Sequence, residues 1–329
     1  CLFQLSCGSV EERQNTLIQK GLASTNEGQY NRAVDYFDDA IALEPSNELA
    51  WNAKGVALYK DGQPYEAVHA FDKAIQIKPD FTRAYYNRSN AFYQVGEYYR
   101  ALDDLEPALQ KYEDSAFVYL AKGLSEVGLE SYELAKESFS RALNIDSLNA
   151  ESLSNLASVY YFQDSLFKAK KWVDSAIAVN PKEANAWNLL SLVQSDLLAY
   201  TEALESIDRA IGLKKFQPYY LNNRGYIYSM LGKYELAYDD LRQSLAIDER
   251  NPYVYRNFGI LAYKKGELEE AERQLASALK RKSDLPLTHF YLGEVARALG
   301  QAEKACEYYQ ISSAAEEAEG KKAAAEFCF

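Results

Sequence analysis

Large apolar and small residues recur along this chain with a fixed period of 34 residues. One place of every period holds an alanine, and the nine alanines are Ala33, Ala67, Ala101, Ala135, Ala169, Ala203, Ala237, Ala271 and Ala305. Sixteen places earlier stands a large residue, Leu17, Trp51, Tyr85, Tyr119, Leu153, Trp187, Leu221 or Tyr255, with His289 in the last period. A glycine, alanine or serine follows four places after each of these. Spacings of three and four put side chains on one stripe of a helix, so the pattern predicts paired amphipathic helices.

Glycine and proline mark the predicted helix ends. A left-handed cap that ends the first helix of a pair is expected at Gly28, Gly62, Gly96, Gly232, Gly266 and Gly300. Proline opens predicted helices at Pro64, Pro218, Pro252 and Pro286. Two periods carry Asp164 and Leu198 where the glycine belongs, so irregular turns are predicted there. Pro107 falls inside a second helix and should kink it near Asp103.

This order of large residue, small residue, alanine, aromatic residue and alanine resembles the tetratricopeptide repeat family. The resemblance implies an all-α fold, a right-handed superhelical α-solenoid of nine helix-turn-helix hairpins. Residues 14–319 hold the nine repeats of 34 residues, residues 1–13 an N-terminal tether or signal-peptide remnant, and residues 320–329 a tail or cap. No single hairpin buries its apolar face alone, so stability is expected from stacking against neighbours.

Composition narrows the function. The formal net charge of −12 argues against nucleic-acid binding, which needs a basic surface. His69 and His289 are the only two histidines, and no catalytic constellation, metal-ligand spacing or cofactor motif is found, so no enzyme activity, metal or cofactor is predicted. The four cysteines lie in two pairs at the two ends of the chain, which is not a disulfide framework, and Cys306 is expected to be packed and inert.

A ladder of cations occupies a place where the family usually has an apolar residue: Lys20, Lys54, Arg88, Lys122 and Arg224. One interpretation is a basic track for an acidic ligand. The other is an ion pair within the hairpin, because Asp104 and Asp240 lie at matching places on the second helices. Half-buried charges need partners, so the structural interpretation is favoured for Arg88 and Arg224.

The resemblance implies that the first helices line a concave groove. The side chains expected to face it and bind a partner are Tyr59, Arg83, Tyr86, Asn90, Tyr93, Phe117, Tyr161, Asn188, Tyr219, Asn222, Tyr226, Tyr253, Arg256 and Tyr263, together with Phe290. Aromatic and cationic residues are enriched at binding hot spots. Alternatively, some of these tyrosines pack against the next repeat. Some family members hold a terminal carboxylate with a Lys/Asn/Arg clamp, but Ile18 and Leu22 stand at the corresponding places, which argues against chaperone-tail binding there.

The N-terminus resembles the end of a bacterial lipoprotein signal peptide, with an apolar run and a small residue before Cys7. Cys7 is the predicted lipidation site, and Cys1 is the alternative. A third interpretation is that the apolar start caps the solenoid. The lipoprotein interpretation implies an outer-membrane lipoprotein of the bacterial cell envelope, facing periplasm or surface, and the alternative is a cytoplasmic protein. At the other end, residues 314–329 are expected to form a helix broken at Gly320 that covers the ninth hairpin.

The sequence therefore predicts a non-catalytic scaffold that binds a peptide or partner protein in a tyrosine-rich groove. Membrane contact is expected only through a lipid anchor. One alternative is an architectural subunit of a membrane-associated complex that uses its outer surface. Another is the regulatory arm of an enzyme, but the repeat occupies nearly the whole chain.

Overall fold

The computed structural model describes residues 9–111 and 114–328. These residues form nineteen helices and no strand, which confirms the all-α fold class. The chain divides into two compact units, unit 1 up to Gln163 and unit 2 from Asp164. The division falls between the two helices of the fifth period.

Unit 1 is built from pairs of packed helices. Its helices are α1 (Val10–Asn26), α2 (Tyr30–Leu43), α3 (Glu48–Lys60), α4 (Pro64–Ile77), α5 (Thr82–Gln94), α6 (Tyr98–Lys111), α7 (Ala116–Gly128), α8 (Tyr132–Ile145) and α9 (Ala150–Phe162). Helices α1 to α8 form four hairpins, and each first helix also contacts the first helix of the next hairpin. A capping box between Ser9 and Glu12 begins α1. Helix α6 continues through Pro107.

Unit 2 repeats this arrangement. Its helices are α10 (Leu166–Val179), α11 (Ala184–Asp196), α12 (Tyr200–Leu213), α13 (Pro218–Met230), α14 (Tyr234–Ile247), α15 (Pro252–Lys265), α16 (Leu268–Arg281), α17 (Thr288–Ala298), α18 (Ala302–Ala314) and α19 (Ala318–Phe327). Helices α11 to α18 form four hairpins, and α11, α13, α15, α17 and α19 contact each other in series. The first helices of each unit therefore share one face.

The periodic small residues are the points of closest approach between helices. All nine alanines of the period have no exposed surface. At Gly55 an added Cβ would come within 2.5 Å of the Phe71 ring on the second helix of the same hairpin. Helix pairs can approach this closely only where one side lacks a side chain, and the aromatic ring fills the space beside it.

The turns of the fifth and sixth periods are regular, so the irregular turns predicted at Asp164 and Leu198 were wrong. Asp164 has φ 53° and Leu198 has φ 60°, the same left-handed conformation that Gly62 adopts with φ 77°. Glu130, at the matching place of the fourth period, has φ 57°. At Leu198 the packing of α11 against α12 fixes the turn, and Asp164 and Leu198 both adopt a strained backbone conformation that a glycine would adopt without strain.

Replacing Leu198 by glycine should therefore stabilise unit 2. Leu198 is 69% exposed, so its side chain contributes little packing. The left-handed strain removed exceeds the entropy that glycine adds to the unfolded chain, and we expect a gain of about 0.5–1 kcal/mol in the free energy of unfolding. Urea unfolding followed by circular dichroism measures it. Leu197→Gly, at a cap with φ −81°, is the matched control and should lose stability.

Two expectations near α17 to α19 are corrected. Pro286 does not open a helix, because Leu287 takes a left-handed conformation with φ 60° and α17 begins at Thr288. The break expected at Gly320 falls at residues 315–317, and Gly320 lies buried inside α19 where that helix crosses Ser312.

Cys306 is not an inert packed thiol, because it forms a disulfide with Cys328. Their Cα atoms lie 5.4 Å apart, since α19 folds back along α18 and returns the chain to the start of that helix. The two cysteines are 22 residues apart, and this spacing alone does not predict that they form a disulfide.

Candidate protein-binding surfaces

Seven of the predicted partner-binding residues lie on the first helices of unit 1, and we call them the unit-1 surface. They are Tyr59 on α3, Arg83, Tyr86, Asn90 and Tyr93 on α5, Phe117 on α7 and Tyr161 on α9. The three helices α3, α5 and α7 are consecutive neighbours. The unit-1 surface is therefore a continuous strip of aromatic and polar side chains.

The aromatic rings of the unit-1 surface contact other aromatic rings and remain partly exposed to solvent. The Tyr86 and Phe117 rings meet edge to face with centroids 4.9 Å apart, and the Tyr93 and Tyr98 centroids are 5.8 Å apart. Tyr93 is 36% exposed and Phe117 47% exposed. Partial burial raises the pKa of Tyr59, Tyr86 and Tyr93. Their hydroxyls, protonated at neutral pH as in any tyrosine, can donate hydrogen bonds. Rings that are held in place and half-exposed suit recognition of a partner.

The remaining predicted residues lie on the first helices of unit 2 and form the unit-2 surface. They are Asn188 on α11, Tyr219, Asn222 and Tyr226 on α13, Tyr253, Arg256 and Tyr263 on α15, and Phe290 on α17. Tyr219 is 38% exposed, but its hydroxyl donates to Asn185 Oδ1 at 3.3 Å. More side chains of the unit-2 surface than of the unit-1 surface form hydrogen bonds or packing contacts with other side chains of their own unit.

Several tyrosines of unit 2 hold helices together. Tyr226 packs against two hydrophobic clusters, one around Ile207 and one around Ile260, and burial raises its pKa far above the usual range. The Tyr263 hydroxyl donates to Glu294 at 2.8 Å. Truncating Tyr226 would therefore damage the core as well as any binding surface.

A chain of side-chain hydrogen bonds, which we call the amide chain, connects α15, α13 and α11. Arg256 Nε donates to Asn257 Oδ1 at 3.1 Å, and Asn257 Nδ2 donates to Asn222 Oδ1 at 2.9 Å. Asn222 donates to Asn223 at 3.4 Å, and Asn223 donates to Asn188 at 2.9 Å. Asn222 is only 3% exposed, so its amide serves this chain and not the surface. Asparagines 35 residues apart were the sequence signal, and Asn87 donates to Asn52 in unit 1 in the same way.

Two arginines of the cation ladder are bound between aspartates, which confirms the structural interpretation. Arg88 makes two hydrogen bonds to Asp104, at 2.7 and 2.5 Å, and one to Asp72 at 2.5 Å. Asp104 belongs to the same hairpin, whereas Asp72 lies on the second helix of the preceding hairpin, and sequence reasoning missed this second partner. We call this arrangement an arginine clamp, because one guanidinium fastens two consecutive hairpins.

Arg224 forms the same clamp in unit 2. It binds Asp240 at 2.6 and 2.9 Å and Asp208 of the preceding hairpin at 2.8 Å. The hydrogen bond to Asp240 raises the pKa of Arg224 above its usual range. Lys54 contacts Asp38 at 2.5 Å in the corresponding position. Three members of the ladder, Lys54, Arg88 and Arg224, therefore join neighbouring hairpins through ion pairs.

The hydrogen bonds and charge around Glu294 should make the stability of unit 2 depend on pH. Burial alone would raise its pKa, but hydrogen bonds from Tyr309 (2.6 Å) and Tyr263 and the charge of Arg297 lower it below 4.5. A lowered carboxyl pKa contributes stability above the unfolded value of 4.5, and this contribution is lost as the pH falls through the folded pKa. Urea unfolding between pH 7 and pH 3 should therefore show a larger loss for the wild type than for Glu294→Gln. Glu303→Gln, on the exposed face of α18, controls for the lost charge and should follow the wild type.

The remaining predictions concern membranes and metals. Cys7 and Cys1, the predicted lipidation site and its alternative, lie outside the described residues. Within residues 9–111 and 114–328, no helix has the length and apolarity that crossing a bilayer requires. In the same residues, no group of three or more metal-binding side chains is found.

Stacked hairpins with buried small residues define a helical-repeat scaffold. Residues 15–47, 49–81, 218–251 and 256–319 match the tetratricopeptide repeat family. The chain therefore contains tetratricopeptide repeats, as its sequence period predicts.

The chain is similar in sequence to a co-chaperone and in fold to solved protein structures. A heat-shock protein cognate co-chaperone of Aspergillus fumigatus, sgt12, is 30% identical over 91 residues, which cover 28% of this chain and 27% of the relative. This match spans about a quarter of the curated relative. The APC/C hetero-tetramer Cut9–Hcn1 superposes with a TM-score of 0.64 at 13% identity, over 99% of this chain and 78% of that one. A tetratricopeptide repeat protein from Parabacteroides merdae gives 0.63 at 16% identity, over 76% and 99%. Identities this low show the fold alone.

Proposed function

We propose that this protein is a non-catalytic scaffold that binds a peptide segment or partner protein on the unit-1 surface. The observation that carries the proposal is the pair Tyr93 and Phe117, exposed rings on neighbouring first helices. Tyr86 on α5 contacts the Phe117 ring, and Tyr59 continues the strip on the neighbouring helix α3. Large, rigid aromatic side chains lose little conformational entropy on binding, which makes them effective anchors for a ligand.

Polar groups beside the rings support a peptide ligand. Asn90 lies one turn from Tyr86 and Tyr93 on α5, and an amide can pair with both donor and acceptor groups of a peptide backbone. Arg83 is exposed at the start of the same helix. The co-chaperone relative supports a protein as the ligand class.

We propose that the unit-2 surface contributes less to ligand binding than the unit-1 surface. Its Asn222, Tyr226 and Tyr263 already contact other side chains of the unit. On α13 Tyr219 is 38% exposed, and on α15 Tyr253 is half-buried. We propose that these two extend the contact of a long ligand.

The architectural alternative uses the second helices. Tyr65 on α4 is 66% exposed and Tyr99 on α6 is 74% exposed, which is more than any ring of the unit-1 surface. Exposed aromatic residues outside the first helices suit a subunit that is held in a complex by its other face.

Photo-crosslinking distinguishes the two proposals. A benzophenone amino acid is placed at Phe117 in one variant and at Tyr99 in the other, and both are expressed in native cells. We expect the Phe117 variant to give a specific protein adduct that a peptide from that protein competes away. An adduct formed only from Tyr99 would favour the architectural alternative.

We also propose that the protein is a lipoprotein of the bacterial envelope, acylated on Cys7 or, as the alternative, on Cys1. The Cys306–Cys328 disulfide supports a compartment outside the reducing cytosol. Intact mass of the native protein tests this proposal, with Cys7→Ser and Cys1→Ser as a pair that identifies the modified residue. A native protein without an acyl mass would contradict it and favour the cytoplasmic alternative.

A further inference from the structure

Helix α19 differs from the other described helices in how few of its residues are fully buried. Gly320 is its only buried residue, whereas α17, a helix of similar length, buries six. With ten residues α19 is also shorter than the roughly 12–15 residues that an isolated helix needs to be even marginally stable in water. Its packing on α17 and α18 rests on side chains that are only partly buried, such as Ala323, Ala324 and Phe327. Full burial and helix propensity therefore contribute little to holding α19 in place.

The two ends of α19 are attached in different ways. Just before its start, the Glu317 carboxylate accepts hydrogen bonds from the Leu287 backbone N–H, at 2.6 Å, and from the Ser312 hydroxyl. At its other end, Cys328 is bonded to Cys306 of α18. One end is thus a hydrogen-bonded hinge and the other end a covalent latch.

Helix α19 covers an apolar face of α17 and α18. Phe327 meets the Tyr309 ring edge to face with centroids 5.8 Å apart, and Tyr309 is only 1% exposed. A cavity of about 460 Å³ lies between the helices, lined by Phe290 and Tyr309 on one side and by Phe327 on the other. Movement of α19 would open this cavity and expose both aromatic rings beneath it.

We propose that the Cys306–Cys328 bond is a redox lock on α19, and that its reduction by a dithiol releases the helix and uncovers the face of α17 and α18. One thiolate of the dithiol attacks a disulfide sulfur, and the other cysteine leaves as a thiolate. The second thiol of the reductant then resolves the mixed disulfide. The protein gains two electrons and two protons and ends with two thiols, and the reductant ends as a disulfide.

The length of the loop that the Cys306–Cys328 disulfide closes sets how strongly its reduction should favour opening of α19. A disulfide that spans 22 residues restricts the open state strongly, and its loss should raise the open population of α19 about 100-fold. The four hairpins α11 to α18 keep their own cores, so their opening should change little.

Amide hydrogen exchange by mass spectrometry on the full chain tests the proposal, with and without dithiothreitol. Exchange of residues 321–328 should become about 100-fold faster after reduction, while α11 to α16 stay protected. Alkylation of the two thiols, read as added mass, proves that reduction occurred. A Cys1→Ser/Cys7→Ser variant should respond as the wild type does, because the lock does not involve those residues.

Two results would overturn the lock. Unchanged exchange of α19 in fully reduced chains would show that packing alone holds the helix. Equal loss of protection across α11 to α18 would show that the bond stabilises all of unit 2. Cys306→Ser/Cys328→Ser should reproduce the reduced state permanently, and the reduced wild type gives the same readout if this variant does not fold.

Discussion

Truncating Asp240 to alanine should lower the free energy of unfolding of unit 2 by about 3 kcal/mol. The change removes two hydrogen bonds from Arg224 and leaves that guanidinium, 22% exposed, with Asp208 alone. Asp240 is 4% exposed, so water cannot fully replace it as a partner. Urea unfolding monitored by circular dichroism measures the loss.

The adjacent residue supplies the control for this change. Asp239→Ala removes the same charge from the same helix, but Asp239 is exposed, so a change within about 0.5 kcal/mol is expected. Equal stability of the two variants would contradict a stabilising clamp. Asp208→Ala should lie between them, because Arg224 keeps both hydrogen bonds to Asp240.

The second large effect concerns the unit-1 surface. Replacing Tyr93 and Phe117 together by alanine should weaken peptide binding at least about 100-fold, since truncating one anchor residue commonly costs about 2 kcal/mol. The ligand is a peptide selected from a display library on the full-length chain, and fluorescence anisotropy gives its Kd. Both rings are partly exposed, so the fold should remain intact in circular dichroism.

Tyr65→Ala with Tyr99→Ala is the matched control, because it removes two more exposed rings from the second helices of the same unit. Binding by this control should stay within about threefold of the wild type. If the control loses the ligand and the Tyr93/Phe117 variant keeps it, the peptide site lies on the second helices.

The hairpins could be predicted from the sequence because their packing rules are local and repeated. The nine periodic alanines are all fully buried, and Gly55 lies against Phe71 as a small residue facing a large one must. The turn residues Asp164 and Leu198 could not be interpreted correctly, since residues other than glycine rarely take the left-handed conformation that both adopt. At Leu198 the packing of α11 against α12 overrode this local preference.

Contacts between hairpins were predicted only in part. The pairing of Arg88 with Asp104 follows from matching places within one period, but Asp72 belongs to the preceding period. The Cys306–Cys328 bond depends on α19 folding back, which no spacing reveals. Among the site residues, the place of Asn222 in its period did not show that its amide is taken up by Asn257.

The amide chain has a consequence for how identical-looking hairpins find their places. The hairpins that begin with α5 and α13 both contain an arginine clamp, so on apolar packing and clamps alone they are interchangeable. Only α13 offers Asn222 to Asn257, because α5 has Tyr86 at the matching place, and both Asn222 and Asn257 are buried. A wrong neighbour would leave these amides without partners away from water, at a cost of about 1–3 kcal/mol each. The amide chain thus disfavours hairpins that stack in the wrong order and favours the native order.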